Sequence, residues 1–503
     1  MISDLKRRGT VLPEPNLEFG DGERCPDPKA GISLFGPPSP RTVPTSPRSI
    51  RLAAIGSGQT ASLSRRWMSM TRNPIASLRS GTLSQIDFPG FRQGVGFDCE
   101  AVIDDSLVET LPQRELDRLL KLPDFQARLE SSVEMIRNSL ENLAHREPPP
   151  MVTVLALPSE VIRACVTDVD RFGRFRPPRG QRWPRVPKKQ WRIEDFLESS
   201  EEERKESARR HYSNLRRAIK FEAWRLGLET QIIWERTLRG GPGLQDLATI
   251  AWNLFVALYY KARGHPWHLA RPHMGTCYVG VSFFRDLTEA GERLDASVAQ
   301  VFSHTGEGMV FRGDRATHRD PLDRKPRLSR ASARRIMEDA IRHYQSQTKS
   351  LPARLVVHKS SRYSEEELEG FRAAAEKIDA VDLLSIEPSR FVFYRQGIYP
   401  PLRGTMIPME GYGTVLYTLS YSPYLGTYPG PGVPRPLAIL EHHGDASAET
   451  LANDILSLTK LNWNTADFSS KLPITLQFAD RVGDVLSQGK TEPRVPSRFS
   501  YFI

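Results

Sequence analysis

The chain has 503 residues, a formal charge of +10 and a pI near 9.4, which allows two to four domains with their own cores and suits a polyanionic partner. Its four cysteines (Cys25, Cys99, Cys165, Cys277) are scattered without a CxxC or Cys/His cluster, so neither structural zinc nor a disulfide framework is indicated and a reducing cytoplasm is expected. The N-terminus has no secretory hydrophobic core, and no run approaches the ~20 apolar residues of a membrane span.

Residues 1–49, rich in Pro, Gly and charge, read as an extended segment. Ile50–Gly56 reads as a strand ending at a glycine turn, followed by a helix to about Thr71. A strand is expected between Phe91 and Val102, although Gly94 and Gly96 weaken it. Residues 113–145 carry one helical apolar face, and Pro148-Pro149-Pro150 stops it. Val152–Pro158 is a buried strand, so the alternation predicts a parallel α/β layer. Residues 171–191 interleave cations with Phe172, Phe175, Trp183 and Trp191. That mixture suits either nucleic-acid contact or local packing of a solvated loop. His211–Lys220 reads as a helix with Tyr212, Arg216 and Lys220 on one face. Leu226–Trp234 turns into a strand, and Leu244–Lys261 is a helix stopped by Gly264 and Pro266.

Further on, Cys277–Phe284 reads as a buried central strand bearing Ser282 near its end. Ala296–Phe302 and Gly308–Phe311 read as paired strands, with Glu307 in the turn and His304 and Arg312 nearby. Ser329–Gln347 is a helix, Leu355–His358 a strand, and Tyr363–Lys377 a helix capped by Ser364 with Glu365–Glu367 at its positive end. Strands are expected near Val381–Ile386, Phe391–Tyr394, Gly404–Met409 and Gly413–Tyr421. Pro473 opens a helical stretch carrying Asp480, and the chain ends in the aromatic run Phe499–Ile503.

The Ser282 strand, Arg354–Arg362 and Leu472–Arg481 together resemble the PIWI domain of Argonaute proteins. In that family the first two stretches read like YVGVD and VVHRDGR, and their acids hold two metal ions that cleave a target strand. Here Ser282 and Ser360 replace two of those acids, and Asp480 matches a ligand type. A hydroxyl is a weak ligand for a hard cation, so the resemblance implies a PIWI fold that binds nucleic acid without cutting it. Glu307 reads first as an ordinary turn residue, and by the resemblance as a candidate remnant of the metal site. Residues 211–268 resemble the MID domain, which binds a guide 5′ end through a Tyr/basic pair, a Gln and a Lys. The matching positions are Tyr212 with Arg216 or Lys220, then Gln231 and Lys261, with the choice between His211 and Tyr212 for the guide base left open. Without the resemblance, Tyr212 reads as a packed helix residue and Arg216 as a surface cation.

The implied architecture is α/β: an N-terminal segment over 1–49, a Rossmann-like MID domain over 50–270 and an inactive ribonuclease H-like PIWI domain over 271–503. This is the plan of a short prokaryotic Argonaute. By the same resemblance, the Ile503 carboxylate and guide phosphates would share a Mg²⁺, and the Asn462-Trp463-Asn464 stretch would abut the active face. Implied partners are a guide RNA, target single-stranded DNA and an APAZ-containing effector, a TIR or sirtuin-like NADase or a nuclease. The implied heterodimer would sense invader DNA in defence and oligomerise on activation. Two alternatives remain: a PIWI nuclease using Asp286, Glu307 and Asp480, and a guide-independent scaffold.

Overall fold

The computed structural model describes residues 9–38, 46–78, 85–165, 214–241, 243–270, 275–286, 293–302, 308–316, 318–319, 325–395, 400–430, 432–486, 488 and 497–503. The opening segment contributes three short strands, β1 (Thr10–Val11), β2 (Leu17–Glu18) and β3 (Arg24–Cys25). A helix over Pro28–Phe35 follows. Asp27 caps it, accepting from the Lys29 and Ala30 amides at 2.8 and 2.9 Å, and Pro28 sits where its missing N–H costs nothing.

Four strands then form one parallel sheet: β4 (Ser49–Gly56), β5 (Glu100–Thr110), β6 (Val152–Leu157) and β7 (Thr230–Trp234), in spatial order β5-β4-β6-β7. β6 is buried along its whole length, as a strand covered on both faces must be. The expected Phe91–Val102 strand is corrected. Gly90, Gly94, Gly96 and Asp98 all take positive φ, so the chain turns there and β5 begins at Glu100. Phe91 and Phe97 instead pack with Phe255 and Trp252 in a ring cluster. The single helix expected over 113–145 is two, Gln113–Leu120 and Phe125–Ala144. Pro123 breaks it and Asp124 caps the second part, accepting from the Ala127 amide at 2.8 Å.

After β8 (His268–Leu269), which pairs with β2, comes a second, ten-stranded sheet. β9 (Thr276–Asp286), β10 (Arg293–Phe302) and β11 (Met309–Arg315) form an antiparallel meander. A ribbon of β12 (His318–Arg319) and β13 (Pro326–Arg327) precedes a helix over Arg330–Thr348. β14 (Arg354–Lys359) runs parallel to β9, and β15 (Ala380–Pro388) parallel to β14. β16 (Thr405–Met409), β17 (Gly413–Leu416) and β18 (Leu437–His443) extend it antiparallel; β1 closes one edge and β19 (Ser497–Arg498) the other. A meander followed by two parallel strands is the ribonuclease H-like pattern expected from the sequence.

The Arg330–Thr348 helix buries Ala333, Ile336, Met337, Ala340, Ile341 and Tyr344 in one core with Cys277, Val279 and Val281 of β9. The expected strand at Phe391–Tyr394 is absent; those residues are irregular, with Phe391 and Tyr394 exposed. The Phe393 backbone bonds instead to a side chain, its amide donating to Tyr417 Oη at 2.6 Å and its carbonyl accepting from the same hydroxyl at 3.0 Å. β18 and the Ser447-capped helix Ala448–Leu458 have no counterpart in the sequence reading.

Candidate nucleic-acid interface

A helix over Leu215–Arg225 starts at Asn214, whose side chain accepts from the Arg217 amide at 3.2 Å. Its i, i+4 spacing puts Arg216 and Lys220 on one face. β7 carries Gln231, and the Leu247–Lys261 helix, capped by Asp246, ends on Lys261. These elements and Ile503 enclose a cavity of about 600 Å³, lined by Arg216, Lys220, Gln231, Trp234, Asn253 and Ile503 among others. Lys220 Nζ donates to the Thr230 carbonyl at 2.6 Å and to the Ile503 main-chain oxygen. Lys261 Nζ donates to Gln231 Oε1. The aromatic tail is tied in alongside: Trp224 Nε1 donates to Ser497 Oγ at 2.8 Å, and its ring lies 5.7 Å from Phe502.

The wall of this cavity crowds buried cationic side chains together. Lys220 and Lys261 are each 1 % exposed. Burial pulls Lys261 down to about 7, against the opposing pull of Glu229, and Arg216 lowers it further. Lys220 is driven well below the usual lysine range by burial, then by Lys261 and Arg216. Arg216 falls to about 10 through desolvation in the concave wall and repulsion from Arg481 and Arg217. Glu229, buried beside them, is raised by burial despite accepting from Ser500 Oγ. An incoming phosphate would relieve the repulsion among these cations.

Arg216, Lys220, Gln231 and Ile503 therefore share one cavity, and Lys261 joins through Gln231. Tyr212 and His211 lie outside the described residues. Trp234 and Asn464 also line the cavity and have no place in the sequence reading of it. In the Asn462–Asn464 stretch, Asn464 lines this cavity while Trp463 packs on Tyr260 and His265, ring centroids 5.0 and 5.3 Å away.

The second cluster sits where β14 ends beside the middle of β9, which runs on past Ser282 to Asp286; the expected place of Ser282 near the strand's end is corrected. The register pairs Lys359 with Val281, so Ser360 and Ser282 follow as the next neighbours. Ser282 is 5 % exposed, whereas Ser360 lies in the bend after β14. His358 Nδ1 lies 2.8 Å from Thr475 Oγ1, and burial pushes this imidazole down to about 3, so it is neutral. On the strand's other face, Lys359 and Glu367 form a wholly buried ion pair at 2.6 Å. Asp480 belongs to the helix Ala479–Leu486, but its side chain, like that of Asp286, is outside the described residues; so are Glu307, His304 and the 171–191 loop. Among the described residues no three His, Cys, Asp or Glu side chains are grouped to share a metal ion. No described helix is long and apolar enough to cross a membrane.

No family model matches the chain. It is 21 % identical over 277 residues to the argonaute of Aquifex aeolicus, an alignment covering 54 % of this chain and 36 % of that protein. Its fold matches the crystal structure of the A. aeolicus argonaute with a TM-score of 0.55 and 14 % identity, over 99 % of this chain and 56 % of the other. The argonaute of Clostridium butyricum, bound to a guide DNA and a 19-mer target DNA, matches with a TM-score of 0.59 and 14 % identity, over 98 % of this chain and 55 % of that one. Drosophila Piwi gives 0.56 and 13 %, covering 98 % and 56 %. The chain thus spans little more than half the length of these structural relatives. The chain is thus similar in sequence to an argonaute over about half its length, and it shares the argonaute fold over nearly all of it.

Proposed function

We propose that the chain is a guide-binding argonaute of the short prokaryotic kind, which anchors the 5′ phosphate of a guide RNA and pairs it with invader single-stranded DNA without cutting it. One observation carries this reading: Arg216, Lys220, Lys261 and Gln231 converge with the Ile503 oxygen on one cavity. Buried like charges packed this closely need a polyanionic occupant, and base pairing of the guide would then supply sequence recognition. Ser282 within β9 and Ser360 just past the end of β14, neighbours by register, support the non-cleaving reading, because neutral hydroxyls do not offset two divalent cations. A partner with an APAZ region and a TIR or sirtuin-like NADase would then act as the effector of antiviral defence, the heterodimer oligomerising when target pairs with guide.

A Mg²⁺ at the guide 5′ end is part of the proposal. The Ile503 and Gln231 oxygens are hard donors beside the lysines, but each already accepts from an ammonium group. The ion would therefore take most of its ligands from guide phosphates, and it would screen phosphate repulsion there.

The test is to purify the chain with its genomic neighbour, sequence the bound nucleic acid, add matched single-stranded DNA, and follow NAD⁺ and bystander DNA. Short 5′-phosphorylated RNA, an intact target and NAD⁺ loss are expected. DNA degradation in place of NAD⁺ loss would assign a nuclease effector. Mg²⁺-dependent cleavage by the chain alone would overturn the non-cleaving reading, and absence of any bound guide would leave a scaffold.

A further inference from the structure

β15 does not stop level with β14. The register pairs Lys359, the last residue of β14, with Ser385, so Pro388 stands three residues further on, at the carboxyl edge of the sheet where Ser360 lies. At a rise of about 3.3 Å per residue, β15 projects roughly 10 Å past its neighbour. The chain then runs irregularly through residues 389–395, Ser-Arg-Phe-Val-Phe-Tyr-Arg. In that run Phe391, Val392 and Tyr394 are 44, 48 and 77 % exposed, the densest group of open apolar side chains among the described residues.

The run is held in place by its backbone. The Ser389 amide donates to the Pro436 carbonyl at 2.9 Å, the Arg390 amide to Tyr412 Oη at 3.0 Å and the Phe393 amide to Tyr417 Oη. The Phe391 and Tyr412 rings meet at 4.8 Å, nearly perpendicular. Arg390 and Arg395 bracket the aromatics, and Arg435 precedes the Pro436 that receives the Ser389 amide. Burial, and then the charge of Arg435, holds the nearby Lys471 ammonium below the usual lysine range. Of the acids beside the run, Glu387 is tied at 2.6 Å to Lys325, which also donates to the Ser360 carbonyl, and Glu410 stands in the β16–β17 turn. Open apolar side chains gathered in one patch mark a binding surface. Aromatics interleaved with cations suit a single nucleic-acid strand, whose phosphates meet the arginines and whose bases stack whatever their identity.

Resting on the guide-binding reading, we propose that residues 389–395 are a platform for single-stranded nucleic acid. Phe391 and Tyr394 stack on unpaired bases of the target DNA where it runs on from the guide–target duplex, and Arg390 and Arg395 take the flanking phosphates. The sheet gives the place: ligands of such sheets lie beyond the carboxyl ends of parallel strands, and the platform projects past those of β14 and β15. The consequence is a preference for DNA longer than the guide over a fragment that ends with it.

The experiment loads the 503-residue chain with 5′-phosphorylated RNA. It measures binding of matched DNA that ends flush with the guide, or that carries extra thymidines at its 5′ or 3′ end with one replaced by 5-iododeoxyuridine. The wild type should hold one overhanging form about tenfold tighter than the flush form, and irradiation should join the iodinated base to Phe391 or Tyr394. F391A/Y394A should lose that advantage with guide and flush-target binding unchanged, whereas F391Y/Y394F should keep it. R390Q/R395Q should lower the slope of log K against log salt for the overhanging form by about 1.4. An overhang that adds nothing in the wild type, or an advantage that survives F391A/Y394A, would overturn the platform. Hydrogen-exchange protection of the run by the genomic neighbour's protein, with no gain from the overhang, would reassign it to a protein partner. A wild type that takes up no guide would overturn the pocket reading instead. Crosslinking of guide-free iodinated oligothymidine then tests the platform by itself: crosslinks at Phe391 or Tyr394 sustain it, and their absence overturns it.

Discussion

Lys261 keeps its side chain in the interior, where its ammonium donates to the Gln231 carboxamide oxygen, and that arrangement fixes how its chemistry responds to pH. Without ligand its pKa is about 7. A bound phosphate favours the charged form and raises that value, so binding takes up a proton between the free and bound pKa values. The Lys261 contribution to affinity for a 5′-phosphorylated oligonucleotide is therefore complete below pH 7 and falls as the pH rises through 7 toward the bound-state value. Calorimetry at pH 8 in buffers of different ionisation enthalpy should register proton uptake on binding. K261M should lose that uptake and weaken phosphate-dependent binding by 10-fold or more, from the loss of a charge-assisted hydrogen bond worth about 1.5–3 kcal/mol. The pocket residues were legible in the sequence because their chemistry is specific and their order along the chain matches the family. Trp234 was not, since an aromatic at a strand end reads as core until its exposure is known.

The helix Glu365–Ala374 shows what one element can be asked to hold. Ser364 and Glu367 form a capping box, and the same carboxylate neutralises Lys359 and accepts from the Leu328 amide at 3.0 Å. E367Q keeps a residue suited to the box but leaves the ammonium of Lys359 buried without its counter-charge. We expect a loss of about 3–5 kcal/mol. K359M/E367Q should recover much of it, read as hydrogen-exchange protection of the β14 amides. Here the cap was readable from Ser364 and the three glutamates, whereas the pairing with Lys359 was not, because it joins two elements. The same division runs through the other elements. Strong periodicity gave the Arg330–Thr348 helix nearly to the residue, and Pro123 alone split the helix expected over 113–145. At Phe91–Val102 and Phe391–Tyr394 aromatic residues mimicked strands; turn glycines decided the first, and at the second the Phe393 backbone is claimed by the Tyr417 hydroxyl.

Across the whole molecule, the opening segment is sewn into the far end of the chain. Thr10 pairs with Met406, and Glu14 bridges Arg403 at 2.9 Å and Lys460 at 2.7 Å. Burial raises the Glu14 carboxyl, but the two cations outweigh it and hold the pKa below 4.5. Its contribution is present above the unfolded value of 4.5 and is lost as the pH falls through the lower folded one. Limited proteolysis should therefore release the segment as the pH drops below about 4.5, and E14Q should release it more readily than wild type at pH 7. Neither contact was visible in the sequence, because a two-residue strand and a single glutamate carry no pattern naming partners so distant. That distance also sets a clock. At about 5–20 residues per second, β1 waits roughly 20–80 s during synthesis for Met406 to be made. Over that interval the nascent chain carries an unclaimed strand at its leading end, and its docking comes among the last steps of assembly on the ribosome.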